Sequence, residues 1–253
     1  MSVRSVASSR KISGQRIDLT NIKSYTATNL SQYFDAYYSS TLTSSTWSDR
    51  QQVSNITFTG SPTVVRNDPY NSLVTFDGST QYGTGLQTTN LANFSVYCWI
   101  KTTTVADGAN PWTKPHITGV DTSGGGSRDW GLTLGLGYAG IWSGLQSGTD
   151  TNINPNTASS KVNDNLWYEL AATSSYTNGS KLYVNQTQIG TSLGVNQNTE
   201  ATYPFYIGKK NPATGGSESY GAFSCAVFMF YTAELTTTQL ASNWNYFRGR
   251  FGR

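Results

Sequence analysis

The stretch LWYELAATSSYTNGSKLYVNQTQIGTS, which runs from Leu166 to Ser192, decides the fold of this chain. Short runs rich in aromatic, aliphatic and β-branched residues alternate in it with Asn/Gly turns, a pattern typical of strands joined by hairpins. In its second half, YVNQTQIG places Asn185 at a tight turn, where a positive φ angle is needed and Asn tolerates it. The stretch therefore predicts consecutive antiparallel strands.

The same pattern recurs from about residue 31 onward, with turn residues between the strand signals. The clearest runs are NITFTG, SLVTFDG, NFSVYCWIKT, DWGLTLGL, GIWSG, LWYELAATS, KLYVN, TQIGTS, PFYIGK and AVFMFYT. In NFSVYCWIKT, a period of two places Phe94, Val96, Cys98 and Ile100 on one face, and Tyr97 and Trp99 on the other. Large side chains on both faces predict a strand that is covered on both sides.

One segment, LTTTQLASNWNYFRG, predicts a helix. Thr236 and Gln239 are three residues apart and form a capping-box pattern, and Gly249 is the predicted stop. An apolar stripe follows the cap at Leu240, Trp244 and Phe247. Many short strands and one terminal helix predict an all-β fold, a double-sheet jelly-roll sandwich with one short C-terminal helix.

The composition supports a folded core despite few charges. Charged residues make up 12% of the 253 residues and aromatic residues 13%, which is enough apolar area for a core. Cys98 and Cys225 lie in apolar runs and are predicted to be buried free thiols; a disulfide would require their strands to be neighbours. No apolar stretch approaches 18 residues and no signal peptide is recognised, so we expect no membrane span and folding in a cytoplasm.

The charge is concentrated at the two ends of the chain. Residues 1–30 lack periodicity and are predicted to form an extended basic arm, and residues 31–253 the jelly-roll domain. The cations of the arm are Arg4, Arg10, Lys11, Arg16 and Lys23, and those of the last ten residues are Arg248, Arg250 and Arg253. These ends are either an anchor for an acidic partner surface or simply soluble termini. No basic cluster interleaved with aromatics occurs in the body, which argues against nucleic-acid recognition.

The order of the segments resembles the laminin-G-like domains of the concanavalin A-like lectin/glucanase superfamily. SLVTFDGSTQYGTG, FSVYCWIKT, the hairpin stretch quoted above, FYIGKK and FSCAVFMFYTAELTTTQL carry the resemblance, over roughly residues 31–250. It implies the concanavalin A-like form of the jelly roll. The first 30 residues resemble nothing that we can name.

A narrower resemblance concerns two segments near the ends of the domain. YFDAYYSSTLTSSTWSDRQQVSNITFTGSPTVV and the ending NWNYFRGRFG resemble the version of this domain found in structural proteins of tailed bacteriophages. This resemblance implies a location in the virion and an assembly role. The partners would be other virion proteins, the major capsid protein or neighbouring subunits, in an oligomeric arrangement.

Enzymatic activity is not expected. Glycoside hydrolases need two carboxyl groups that flank the scissile bond, which on one strand means acids two or four residues apart. None of the four Glu residues has such a neighbour, and the Glu-x-Asp-x-Glu motif of the glucanases in this superfamily is absent. His116 has no acid or nucleophile beside it in the sequence.

No cofactor is predicted, and calcium is the less favoured alternative. Oxygen-rich residues occur at Asn67, Asp68, Asn71, Asp77, Asp121 and Asp129. Their spacing matches no dedicated calcium loop. Asp77, followed by Gly78, is more simply explained as a turn-former.

A sugar-binding site is the remaining candidate, because aromatic residues on Gly-rich loops can stack on sugar rings. The candidate contact residues are Trp112, Trp130, Tyr138 and Tyr220. Trp142 is assigned to the core in preference to a binding site. The sequence thus predicts a non-enzymatic virion structural protein, a capsid decoration or minor head protein anchored by its arm. The alternative is a glycan- or receptor-binding module of a phage tail fibre, with a host surface glycan as partner.

Overall fold

The computed structural model describes residues 24–66, 72–85, 93–106, 113, 116–122, 130–143, 151–155, 161–192, 203–213 and 218–253. Within these residues, two β-sheets pack face to face and one α-helix, α1 (Thr237–Phe247), lies near the C-terminus. This confirms the predicted all-β sandwich with one short C-terminal helix. No helix in the described part of the chain is long and apolar enough to span a membrane.

The first sheet has the order β14-β13-β12-β7-β17-β5-β4, and β1 pairs with the other half of the long strand β17. Its strands are β1 (Leu30–Asp35), β4 (Thr63–Val65), β5 (Leu73–Asp77), β7 (Asn93–Lys101), β12 (Tyr168–Ser175), β13 (Gly179–Val184), β14 (Thr187–Ser192) and β17 (Ala222–Tyr231).

The second sheet has the order β11-β10-β9-β8-β15-β6-β3-β2, and β16 pairs in parallel with β8. Its strands are β2 (Thr46–Trp47), β3 (Ile56–Thr59), β6 (Tyr82–Thr84), β8 (His116–Thr122), β9 (Trp130–Gly135), β10 (Tyr138–Ser143), β11 (Thr151–Ile153), β15 (Tyr206–Ile207) and β16 (Asn211–Ala213).

Strand β7 is covered on both faces, as its period-two pattern predicts. Phe94, Val96, Cys98 and Ile100 point into the core between the two sheets. Tyr97 and Trp99 point to the opposite face, into a second core beneath helix α1. Burial of each large apolar side chain contributes about 1.5–3 kcal/mol, so the helix is held mainly by this second core.

Helix α1 begins with the predicted capping box. The Thr236 hydroxyl accepts the Gln239 backbone N–H at 3.3 Å, and the Gln239 side chain accepts the Thr236 N–H at 2.9 Å. Helix α1 ends at Phe247 with Arg248 as its C-cap, so Gly249 directly follows the cap, where the stop was predicted. The chain continues after Phe247 into a 3-10 turn, Arg248–Phe251, which ends at Gly252 with a φ of 69°. The left-handed position that favours glycine is therefore three residues later.

Phe251, at the end of this 3-10 turn, explains why the turn continues. Its ring stacks on Trp99 with a centroid distance of 4.3 Å, and Trp244 stacks on the same indole at 5.3 Å. The Phe251 side chain is only 7% exposed. The apolar contact with Trp99 holds the chain against the sheet beyond Gly249.

The hairpin between β13 and β14 contains the tight turn predicted at Asn185. Asn185 and Gln186 both have positive φ angles, 47° and 69°. The buried carboxyl of Glu169 accepts the Gln186 backbone N–H at 2.7 Å and its side-chain amide at 2.6 Å. Burial raises the pKa of Glu169 to about 7, against the opposing effect of these hydrogen bonds.

The two cysteines are buried and free, as predicted. Their strands, β7 and β17, are neighbours, the arrangement that a disulfide would require. The pairing register places Cys98 opposite Phe228 and Cys225 opposite Ile100. The two thiols are therefore not opposite each other, and both act as small apolar side chains.

The last residues of the predicted arm, 24–30, pack on the domain. The Thr26 N–H donates to the Asn243 side chain at 2.7 Å, and the Thr26 hydroxyl donates to the Gln239 carbonyl at 3.0 Å. The Tyr231 hydroxyl donates to the Thr26 carbonyl at 3.0 Å. Helix α1 and the end of β17 therefore hold Thr26 against the domain.

Candidate functional site

A hollow of about 550 Å³ lies between the end of β1 and the C-terminal end of helix α1. We call it the tyrosine hollow. Its lining residues are Asp35, Tyr37, Tyr38, Tyr246, Phe247, Gly249 and Arg250. Volume and lining fit the usual form of a small-molecule site, which is aromatic with a few fixed polar groups.

Three tyrosines form the walls of this hollow. Tyr37 is 46% exposed, and its ring meets that of Tyr38 edge to face at a centroid distance of 5.1 Å. Tyr246 meets Phe247 edge to face at 4.8 Å. Burial and the neighbouring Tyr38 raise the pKa of Tyr246 well above its usual value, so its hydroxyl remains a hydrogen-bond donor even in alkaline solution. The walls thus offer both ring surface and hydroxyl groups.

An ion pair between Asp35 and Arg250 forms the polar part of the lining. The Arg250 Nη1 donates to the Asp35 Oδ1 at 2.5 Å, and the Arg250 and Asp35 side chains are 11% and 4% exposed. The same carboxylate accepts the Tyr33 hydroxyl at 2.9 Å and the Tyr37 N–H at 2.9 Å. These contacts satisfy the carboxylate and fix Tyr37 at the rim of the hollow.

A second hollow, of about 570 Å³, lies beside the first. We call it the polar hollow. Its lining residues are Thr41, Ser48, Asp49, Arg50, Gln52, Ser54 and Asn55. The Arg50 guanidinium carbon lies 3.4 Å from the centroid of the Tyr38 ring, so this cation–π pair stands between the two hollows.

A separate aromatic cluster lies near the ends of β6 and β15. Tyr82 stacks on Tyr206 with a centroid distance of 5.0 Å, and Tyr220 meets Tyr82 at 6.3 Å. The Lys209 ammonium lies 4.6 Å from the Tyr82 ring and 4.7 Å from the Tyr220 ring, and it pairs with Glu218 at 2.6 Å. Because Lys209 fills the space among the rings, this cluster is already occupied by a side chain of the protein.

Among the described residues, the glycan-contact candidates Trp130, Tyr138 and Tyr220 lie in different surroundings. The prediction that Trp130 contacts a sugar is wrong. Trp130 is 1% exposed and packs against Phe94 and Phe230 in the core, so its ring faces cannot meet a sugar. Tyr138 lies on β10, and Tyr220 belongs to the lysine-filled cluster.

Trp142, which the sequence assigned to the core, is 2% exposed. Its indole N–H donates to the His116 Nε2 at 2.9 Å. This hydrogen bond gives the histidine a structural partner.

The remaining predicted positions lie outside the described residues. These are Trp112 and the arm cations Arg4, Arg10, Lys11, Arg16 and Lys23, together with the calcium candidates Asn67, Asp68, Asn71 and Asp129. Within the described residues, no group of three or more His, Cys, Asp or Glu is placed to hold a metal ion. Asp121 pairs with the buried Lys210 at 2.6 Å.

Asp77 forms a turn, as predicted. Its carboxylate accepts the N–H groups of Ser79, Thr80 and Gln81 at 2.9–3.0 Å, and the Thr80 hydroxyl at 2.7 Å. Slight burial acts in the opposite direction, but these hydrogen bonds hold the pKa of Asp77 well below its usual range. Its oxygens are therefore engaged within the turn.

Sequence reasoning missed the tyrosine hollow. Tyr37 and Tyr38 lie in YFDAYY, which was used only for the phage resemblance, and Tyr246 lies in NWNYFRG, which was used for that resemblance and for the helix. The two segments are about 200 positions apart, and β1 and helix α1 bring them together on the same side of β17. The available signal was the density of tyrosines in both segments.

Comparisons with known proteins agree with this fold. The binding domain of Paraclostridial Mosquitocidal Protein 1 is similar with a TM-score of 0.62 and 14% identity, over 87% of this chain and 52% of that one. A botulinum neurotoxin type C structure is similar with a TM-score of 0.56 and 14% identity, over 86% and 51% of the two chains. Trypanosoma rangeli sialidase is similar with a TM-score of 0.56 and 14% identity, over 87% and 33%.

These three similarities show the fold alone, and the chain spans about half or less of the length of the structures that it matches. No curated protein sequence matches the chain. A family model does match: Laminin_G_3, described as concanavalin A-like lectin/glucanases superfamily, covers residues 77–241, which is more than half of the chain. The chain therefore belongs to the laminin-G-like family of the concanavalin A-like lectin/glucanases superfamily.

Proposed function

We propose that this protein is a non-enzymatic carbohydrate-binding module whose ligand lies in the tyrosine hollow. One observation carries the proposal. The exposed ring of Tyr37 and the ring of Tyr38 form a wall of a hollow that is large enough for a sugar. The apolar face of a sugar stacks on an aromatic ring, and its hydroxyls bond to nearby polar groups. The tyrosine hollow offers both kinds of contact.

The similar structures support this proposal. Cell entry of botulinum neurotoxin type C depends on interaction with two ganglioside molecules, and a neurotoxin DC binding domain forms a complex with SialylT. The mosquitocidal match is likewise a binding domain. The toxin matches therefore favour binding as the proposal for this chain, whereas the sialidase match is to an enzyme.

The state of Asp35 supports a non-enzymatic role. Hydrolysis of a glycosidic bond uses a pair of carboxyl groups, one of which donates a proton. Among the described residues that line the tyrosine hollow, Asp35 is the one carboxylate, and it is bonded to Arg250, Tyr33 and the Tyr37 N–H. A carboxylate held in this way has neither a partner acid nor a free oxygen for the reaction.

The test is glycan binding by Tyr37→Ala, measured on a glycan array and then by calorimetry with the best glycan. Removal of the exposed ring should weaken binding at least tenfold. Tyr176→Ala is the matched control, because Tyr176 is 53% exposed in the β12–β13 turn and lies outside the hollow. Wild-type protein that binds no glycan, or equal binding by both variants, would contradict the proposal.

As the setting of this activity we propose the virion of a tailed bacteriophage, where the module is a decoration, minor head or tail-fibre component. The support is the resemblance of YFDAYY and NWNYFRGRFG to phage structural proteins and the predicted basic arm. In this setting the arm binds the major capsid protein or neighbouring subunits, and the hollow binds a host surface glycan.

Deletion of residues 1–23 tests the setting, because residues 24–30 pack on the domain and should stay. The truncated protein should keep its folded domain and lose incorporation into particles. Retention of normal incorporation would contradict the anchor. Circular dichroism of the purified domain serves as the control for folding.

A further inference from the structure

We propose that the tyrosine hollow and the polar hollow are two subsites of one site, which binds an oligosaccharide of at least two sugar units. This inference rests on the proposed carbohydrate-binding function and adds the class of ligand. One unit would stack on the exposed ring of Tyr37, and the next would contact the hydroxyl and amide groups on the other side of the Tyr38–Arg50 pair.

The two hollows share a wall. Tyr38 lines the tyrosine hollow, Arg50 lines the polar hollow, and the guanidinium lies over the ring at 3.4 Å. Within the described residues, Arg50 has no ion-pair partner, and its side chain is exposed. A ligand that passes over this wall therefore meets a free cationic donor between the two linings.

The polar hollow is preformed. The Asp49 carboxylate accepts four backbone N–H groups, those of Tyr33 at 2.8 Å, Gln51 at 2.9 Å, Val53 at 2.9 Å and Ser54 at 3.3 Å. The Arg50 N–H also donates to the Tyr33 carbonyl at 2.8 Å. These bonds fix the loop against β1, so a ligand does not have to order it on binding.

The linings of the polar hollow and the tyrosine hollow are chemically complementary. Because the Asp49 oxygens are used within the loop, the groups that face a ligand are uncharged hydroxyls and amides together with Arg50. Gln52 and Asn55 are exposed. Such groups bond to sugar hydroxyls, whereas the tyrosine hollow supplies the ring surface. A single sugar unit in either hollow would use only one of these linings.

The experiment is a chain-length series on the purified full chain. The probes are mono-, di- and trisaccharides of glucose, of N-acetylglucosamine and of sialic acid-terminated galactose, and calorimetry gives the affinity. For the series that binds, the disaccharide should bind at least tenfold more tightly than the monosaccharide. Equal affinity for the two lengths would overturn the two-subsite proposal and leave the proposed function intact.

Variants of the polar hollow locate the second subsite. Gln52→Gly removes a side chain and suits the φ of 60° at this position, and Arg50→Ala removes the shared wall. Gln52→Gly should lower the increase in affinity from the second sugar unit at least threefold and leave monosaccharide affinity unchanged, whereas Arg50→Ala should weaken binding at every length. Gln51→Ala is the matched control, since Gln51 is exposed and does not line the hollow.

Equal loss for all lengths in Gln52→Gly would place its side chain outside a second subsite and overturn the inference. Unchanged binding at every length would do the same. If no probe binds to the wild-type chain and the glycan array also shows no ligand, the proposed function itself fails.

Discussion

Asp35 at the end of β1 and Arg250 three residues after helix α1 form an ion pair that is almost completely buried. The pair joins two segments that are far apart in the chain and lies in the lining of the tyrosine hollow. Its role is therefore both to hold the C-terminal segment against β1 and to place Tyr37, whose N–H bonds to the same carboxylate.

Loss of one partner of this pair should destabilise the fold strongly. Arg250→Met leaves the Asp35 carboxylate buried without its cation, which costs about 3–5 kcal/mol for a pair of this kind. Urea denaturation measures the change in the free energy of unfolding. The double variant Asp35→Asn/Arg250→Met should recover part of the loss, and a double variant less stable than Arg250→Met would contradict this account.

Glu169 should make stability depend on pH between about 4.5 and 7. Its pKa is raised from 4.5 to about 7, so in this window the folded state holds a proton that the unfolded state has released. The free energy of unfolding therefore falls as pH rises through the window and levels off above it. A tenfold change in proton affinity corresponds to about 1.4 kcal/mol, so the loss amounts to about 3 kcal/mol.

Glu169→Gln isolates this contribution from the other titrating groups. The variant keeps an oxygen that can accept the Gln186 N–H but does not titrate. The difference in the free energy of unfolding between wild type and variant should change by about 3 kcal/mol from pH 4.5 to 7.5. A difference that is constant over this range would contradict the assignment.

The capping box should stabilise helix α1. Thr236→Ala removes the hydroxyl that accepts the Gln239 N–H, and loss of such a cap costs about 0.5–2 kcal/mol. Thermal denaturation measures the shift in Tm. Thr237→Ala, one residue later and also exposed, is the control and should leave Tm nearly unchanged. Equal shifts in the two variants would argue against the cap.

The two glycines after the helix should respond differently to alanine. Gly252 has a φ of 69°, a left-handed conformation in which a side chain is strained, so Gly252→Ala should lower the free energy of unfolding by about 1 kcal/mol. At Gly249 an added Cβ would meet no atom within 4 Å, and Gly249→Ala should be tolerated. A larger loss at Gly249 than at Gly252 would contradict the assigned end of the segment.

Much of the fold could be predicted because its signals are local. Period two in β7, the turn at Asn185 and the cap at Thr236 each depend on residues within one element, and the structure confirms all three. The end of the C-terminal segment could not be predicted in this way. The chain continues past Gly249 because Phe251 packs on Trp99, a contact between distant residues.

The candidate site shows the same division. Sequence reasoning sought the site among aromatics near glycines and selected Trp130, which the structure buries in the core. An aromatic residue looks the same in sequence whether its strand turns it inward or a loop exposes it. Exposure depends on which sheet covers the residue, and that is set by strand order.

The sequence by itself determined the all-β class, the main hairpins, the capped helix and the absence of spaced acid pairs. These properties follow from short-range periodicity and turn chemistry. The tertiary structure alone decided that Tyr37 and Tyr38 would meet Tyr246, and that Arg50 would lie over Tyr38. The physical reason is that β1 and helix α1 come from opposite ends of the domain and meet only through the order in which the strands pair around β17.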